Sequence, residues 1–283
     1  MIIDAHHHVW DGRAGGPAEP DMFPAVGGPF GMAQYVQASA PEAVTASVVV
    51  QAAASPEETA RLLTLAHQAR GRIAGVVGWA DLTGQRISDE LARLRALPGG
   101  YRLVGIRHRV LDEPDPDWLR LPAVAHGLRA VGAAGLCYDV LVRPAQLPGV
   151  LAVTAELDSV RFVLDHGGKP DIAARSFEPW ASLIRELARR PNVACKVSGL
   201  ITEAGPDWKP ELLAPYADHL LNCFGPQRLI FGSDWPVCIP AASYGEVVDV
   251  ARQLLSDRMA RTELDAFFAG NAINAYRLQI PAR

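Results

Sequence analysis

Cysteine is scarce and scattered. Four cysteines in 283 residues, Cys137, Cys195, Cys223 and Cys238, form no CxxC pair, which excludes a zinc knuckle and argues against a disulfide framework. No apolar run approaches the roughly 18 residues a membrane-spanning helix needs. A basic excess is also missing. Lys+Arg 27 against Asp+Glu 31 gives a formal net charge of −4, the wrong sign for a nucleic-acid partner. The opening residues MIIDAHHHVWD carry neither the basic start nor the apolar centre of an export signal. Neither GxGxxG nor GxxxxGK[ST] follows an early β-rich run, which removes the usual phosphate loops of open α/β sheets. What remains is ordinary globular composition, 49% hydrophobic and 20% charged. The default is a protein of the reducing cytoplasm, with no membrane or nucleic-acid partner.

Against these absences stands a regular alternation. Eight runs rich in Val, Ile and Leu read as strands buried on both faces: Ile2–His8, Thr45–Gln51, Arg72–Trp79, Arg102–Arg109, Gly135–Val142, Val160–His166, Val193–Ser198 and Arg228–Asp234. Helical stretches separate most of them, at Pro56–Arg70, Ser88–Ala96, Leu121–Val131, Leu147–Leu157, Pro179–Arg190 and Pro210–Cys223. Ser243–Leu255 and Arg261–Ala269 close the series. Pro56, Pro179 and Pro210 sit at helix starts, where a missing N–H costs little. Eight strands alternating with helices predict an α/β fold, a single-domain (β/α)8 barrel over residues 1–283. The Gly- and Pro-rich stretch 12–31 directly follows the first strand, and is either a lid over the barrel mouth or a plain crossover. An open doubly wound sheet is the runner-up fold.

Polar residues gather where these strands end, the end that carries the active site of such a barrel. In His6-His7-His8, alternation puts Ile2, Asp4, His6 and His8 on one face and His7 on the other. That H-x-H geometry suits one metal ion or one held water. His166 ends the sixth strand before a Gly pair that lets backbone approach a ligand closely. Asp234 ends the eighth, where a carboxylate can ligate a metal or take a proton from water. Each residue alone has a structural explanation; the coincidence of four at one end favours a site. Gln51, Arg107, His108, Tyr138 and Lys196 are further strand-end polar groups. Arg107 and His108 are adjacent, so only one faces inward. Lys196, inside an apolar strand, needs an ion-pair partner or an anionic ligand. His67, His126 and His219 fall on helices and read as packing or surface residues.

These motifs together resemble one family. Ile3-Asp4-Ala5-His6-His7-His8-Val9-Trp10, Val50-Gln51-Ala52, Gly105-Ile106-Arg107-His108 and Leu164-Asp165-His166-Gly167-Gly168-Lys169-Pro170 occur in order. Lys196-Val197-Ser198-Gly199-Leu200, Phe231-Gly232-Ser233-Asp234-Trp235-Pro236 and Gly270-Asn271-Ala272 follow. The chain is similar to the amidohydrolase superfamily of (β/α)8 hydrolases, in the Amidohydrolase 2 branch that holds several lactonases. The resemblance implies hydrolysis of a small-molecule lactone, first a sugar-acid (aldono-) lactone, with a dicarboxylate lactone as the alternative. Some branch members are decarboxylases of unsaturated or aromatic acids, a second enzymatic reading; a non-catalytic binding barrel is a third. Position by position, the resemblance puts His6, His8, His166 and Asp234 around a metal or a nucleophilic water, with Asp234, His166 and His108 as catalytic groups. Gln51, Arg107, Lys196 and Trp235 would line the substrate. The chain departs from binuclear relatives, since no Lys or Glu ends the fourth strand and the fifth offers Tyr138 and Asp139 instead of His. The resemblance therefore implies at most one divalent ion, of zinc type, or catalysis without metal.

Overall fold

The computed structural model describes residues 1–10, 26 and 29–280. Eight strands form one parallel sheet in sequence order: β1 Ile2–His7, β2 Val44–Val50, β3 Ile73–Gly78, β4 Leu103–His108, β5 Cys137–Val140, β6 Arg161–Leu164, β7 Val193–Val197 and β8 Leu229–Phe231. The sheet closes on itself through a parallel bridge between His7 and Trp235, with His8 N–H donating to the Trp235 carbonyl at 2.7 Å and Asp234 N–H to the His6 carbonyl at 2.8 Å. The result is a single-domain (β/α)8 barrel, and the seam that completes it runs between His6–His8 and Asp234–Trp235. Most of the expected lid, 12–31, lies outside the described residues.

Helices cover the outside of the sheet. Pro56–Gln68 starts on an N-cap, the Ser55 hydroxyl accepting from Glu58 N–H, and Tyr244–Leu255 on a Ser243/Glu246 capping box. Among the described residues, Met32–Ser39, the five-residue Leu200–Ala204 and Asn271–Tyr276 escape the periodicity reading. Arg261–Ala269 is not one helix, since Arg261–Asp265 passes through a π turn, Ala266–Gly270, into Asn271–Tyr276.

Side-chain alternation divides the core in two. Outward residues such as Val49, Val76, Ile106, Tyr138 and Phe162 pack under the helices. Inward residues Ile3, Ala5, Ala46, Val48, Val50, Ala74, Val77, Val163 and Ile230 plug the lower barrel together with Ala272, Tyr276 and Leu278 of the C-terminal segment.

One expectation fails on β1. Ile2 and Asp4 do not share a face with His6 and His8. Ile3 and Ala5 point inward, while Asp4 faces the helices and bonds to Tyr35 and Tyr244. Asp4 pairs with Ser47 and His7 with Val49, so β1 spends one more residue than β2 across this step. That bulge shifts the alternation by one and re-aims His6 and His8 into the barrel.

Candidate active site

Three strand ends, those of β1, β6 and β8, bring His6, His8, His166 and Asp234 to one point at the barrel mouth. Asp234 Oδ1 lies 3.7 Å from His6 Nε2, 3.6 Å from His8 Nε2 and 3.9 Å from His166 Nε2. His6 Nε2 and His8 Nε2 are 3.2 Å apart. All four side chains are buried.

The local backbone is specialised at each position. His166 and Asp234 both adopt left-handed conformations, φ +53° and +57°. Such a non-glycine conformation is uncommon and clusters at functional sites. In β6 the inward residue after Val163 is Asp165. His166 joins it only because the chain leaves the strand in a tight turn, Asp165–Gly168, that swings the next side chain into the mouth. Two glycines leave the necessary room. A Cβ on Gly199 would stand 2.7 Å from His166 Nδ1, and one on Gly232 would stand 2.7 Å from His6 Cβ.

Burial dominates the electrostatics. It lowers His8 to about 3 and His166 to about 4, and holds His6 well below its ordinary value. The three imidazoles are therefore neutral near pH 7. Burial raises Asp234, against the pull of His166, Lys169 and Arg107.

The tautomers follow from the outer contacts. His8 Nδ1 donates to the Val50 carbonyl at 2.8 Å, which leaves Nε2 a bare acceptor. His6 Nδ1 lies 3.3 Å from Asp165 Oδ1, which accepts when the proton sits on Nδ1; Nε2, 3.3 Å from the Arg107 Nη1 donor, is then the acceptor. Two lone pairs and a carboxylate oxygen thus face one another without a proton between them. Tetrahedral bonds of about 2.0–2.1 Å place neighbouring ligand atoms roughly 3.3 Å apart, close to these separations. Neutral imidazoles with one carboxylate are a zinc-type donor set, and His6, His8 and Asp234 form such a group. The residues fit a divalent cation.

Beneath His6 lies a layer of buried charge. Lys196 Nζ stands 2.6 Å from Asp139 Oδ2, 2.8 Å from Asp165 Oδ1 and 3.1 Å from His6 Nδ1. Arg107 Nη1 is 3.2 Å from Asp165 Oδ2, and its Nη2 donates to the Gln51 carbonyl. Tyr276 donates to Asp139 at 2.7 Å. Burial would raise Asp165, but Lys196, His6 and Arg107 outweigh it and hold that carboxyl well down. Burial would lower Lys196, but Asp139 and Asp165 outweigh it and raise the ammonium. For Asp139 burial wins, pushing the carboxyl up to about 6.

The other sequence candidates separate. Arg107 turns inward and His108 outward. His108 stacks on Trp118 at 4.3 Å, accepts from Trp79 Nε1 at 3.0 Å and meets Glu113 at 2.6 Å, so both ring nitrogens are engaged away from Asp234. Tyr138 also points outward, into the packing against Phe162. Gln51 is fully buried, with Nε2 on the Arg107 carbonyl and Oε1 unbonded. Trp235 packs edge-on against Phe30 and Tyr35. Asp165 and Asp139, which tie this layer together, stand in the sequence motifs but were given no role there. Their signal was their place inside β-rich runs, since a carboxylate at an inward strand position requires a partner.

Barrel, strand-end cluster and buried charge layer together define a hydrolase-type site at the mouth of a (β/α)8 barrel. The amidohydrolase family model matches residues 3–278, and the chain belongs to that family. It is 40% identical to an L-fucono-1,5-lactonase of Burkholderia multivorans, covering 100% of this chain and 98% of the relative. It is 37% identical to an L-fucono-1,5-lactonase of Burkholderia ambifaria, covering 99% and 97%. A crystal structure of a Burkholderia multivorans amidohydrolase with bound zinc superimposes with a TM-score of 0.88 at 36% identity, covering 99% of this chain and 100% of the other.

Proposed function

We propose that this protein is a lactonase that opens the ring of a neutral sugar-acid lactone, with Asp234 as the central base. The carrying observation is the Asp234 carboxylate surrounded by three neutral imidazoles, in a chain 40% identical to an L-fucono-1,5-lactonase.

Asp234 takes a proton from a water held among His6, His8 and His166, and the oxygen adds to the lactone carbonyl carbon. Burial strengthens Asp234 as a base. When the tetrahedral adduct collapses, the ring C–O bond breaks and Asp234 returns its proton to the departing ring oxygen. His108, engaged by Trp79 and Glu113, is not needed for that transfer. His6, His8 and Asp234, joined by His166, would hold a divalent ion, zinc first; when bound it polarises the carbonyl and acidifies water.

The charge layer bears on the substrate. Arg107 is committed to Asp165 and Gln51, Lys196 to Asp139 and Asp165, and Lys169 to Glu203. Among the described residues, Arg107, Lys196 and Lys169, the cations first considered for a dicarboxylate, are thus already paired. This supports a polyhydroxylated lactone and a role in carbohydrate metabolism. Arg107, Lys196 and Gln51 act as the floor that fixes His6, and Trp235 as a wall. The four free thiols fit a cytoplasmic enzyme.

A pH-indicator assay over L-fucono-, L-rhamnono-, D-galactono- and L-arabinono-lactones and 2-pyrone-4,6-dicarboxylate tests this. Each is run as purified, after chelation, and with zinc restored. One acid equivalent released from a sugar lactone, without CO2, is expected. Turnover of the dicarboxylate alone would overturn the substrate class, and CO2 release would replace lactonase with decarboxylase.

A further inference from the structure

We infer that Asp4, on the far side of β1 from the reacting groups, is a positioning residue that sets both His6 and Asp234. Its side chain is fully buried between barrel and helices. Oδ1 accepts from two backbone N–H groups, His6 at 3.1 Å and Ser233 at 2.9 Å. Oδ2 accepts from the Ser233 hydroxyl at 2.6 Å and from the phenols Tyr35 at 3.0 Å and Tyr244 at 3.1 Å. One carboxylate thus collects five donors.

The two backbone donors explain the role. His6 lies in the β1 bulge, where the regular ladder to β2 is interrupted. Ser233 immediately precedes Asp234, where β8 has ended and the chain turns left-handed. Both are points where strand pairing no longer dictates the backbone. Asp4 supplies the missing acceptor to both at once and bolts them together across the seam that closes the barrel. Ser233 extends the clamp, its Oγ accepting from Trp235 N–H at 3.1 Å. The outward turn of Asp4 is therefore what lets one side chain reach His6 and Asp234 from behind. A 1 Å error in the placement of reacting groups can cost about 100-fold in rate.

The kinetic arm rests on the lactonase reading; the metal arm does not. In Asp4→Ala both backbone donors lose their acceptor. With protein shown folded by circular dichroism and cooperative melting, kcat on the best sugar lactone should fall about 100-fold while KM stays within about twofold. Asp4→Asn keeps an oxygen for the two N–H groups and turns its amide to the hydroxyls, so it should recover kcat to within about fivefold. In an Asp234→Asn background, Asp4→Ala should cost much less than in the wild type, because the part of its effect that passes through that carboxylate is already gone and only the part through His6 remains. Zinc affinity, measured by chelator competition without substrate, should weaken at least tenfold in Asp4→Ala and far less in Asp4→Asn.

Near-wild-type kcat and zinc affinity in folded Asp4→Ala would overturn the inference, as would an equal loss in the Asp234→Asn background. If the alanine variant does not fold, Ser233→Ala takes its place, with about a tenfold fall in kcat expected; wild-type kcat there would be equally fatal. If the wild-type protein opens no lactone, the lactonase reading fails alone, and the zinc titration still decides the place of Asp4.

Discussion

Below His6 the barrel interior is apolar, filled by Ile3, Ala5, Val48, Val77, Val163 and Ile230. Nearer the mouth, β4 to β7 turn charge inward, with Arg107, Asp139, Asp165 and Lys196 fully buried and His6 resting on them. The lower layer stabilises by area removed from water and tolerates any well-packed residue of similar size. The upper layer is tolerated only because each charge meets another. Desolvation of an ion costs several kcal/mol, and good pairing little more than offsets it. The plug therefore holds the barrel together, while the charge layer holds His6 in one orientation at little net gain in stability.

That contrast predicts different failures. The largest effect should come from the reacting point itself. Asp234→Asn should fold normally and lose about 10⁴-fold in kcat, about 5.5 kcal/mol of transition-state stabilisation. Near-wild-type turnover would remove Asp234 from the centre of the site. Next comes Lys196→Met, which strips the cation from between Asp139 and Asp165. Urea unfolding should show a loss of about 3–5 kcal/mol, since two buried carboxylates are left facing each other. Adding Asp139→Asn should restore part of it; no recovery would mean that packing, not charge, was lost.

Acid should act on the polar layers alone. His7, His8 and His166 have folded pKa values of about 4, 3 and 4, below the ordinary 6.5, because of burial. Their contribution is present above pH 6.5 and is lost as pH falls toward those values, by about 1.4 kcal/mol per unit for each group. Asp139, raised to about 6, works in the opposite sense and returns stability as pH falls from 6 toward its ordinary value of 3.8. With His6 also lowered and Asp234 also raised, four histidines against two carboxyls leave a net loss, so stability should drop by about 4 kcal/mol or more from pH 7 to pH 5. Urea midpoints that rise on acidification would contradict the neutral histidines. The smallest effect belongs to the plug. Val48→Ala should cost about 2 kcal/mol through lost burial and a small cavity, with kcat unchanged. A large kcat loss there would show that the two layers are not separable.

Much of this was legible beforehand. The eight strand runs coincide with the eight strands, and His6, His8, His166 and Asp234 do converge. Both follow from hydrophobic period and from polar residues falling where apolar runs stop. The face of Asp4 was misread because alternation counts residues, and a bulge inserts one without marking the sequence. His166 reaches the mouth by a left-handed turn that alternation would not permit. Met32–Ser39 escaped because its cap, Gly31, carries no side-chain hydrogen bond and is preceded by further glycine and proline.

Strand number, the alternation with helices and the polar composition of the strand ends are local properties. They follow from the period and chemistry of successive residues, and this chain states them directly. Partnership is not local. That Lys196 serves Asp139 and Asp165, that His108 is held by Trp79 and Glu113, and that Asp4 reaches Ser233 across more than two hundred residues, were decided when the sheet closed. Closure brings distant strands to hydrogen-bond range, and burial then obliges every charge to find whichever neighbour the register provides.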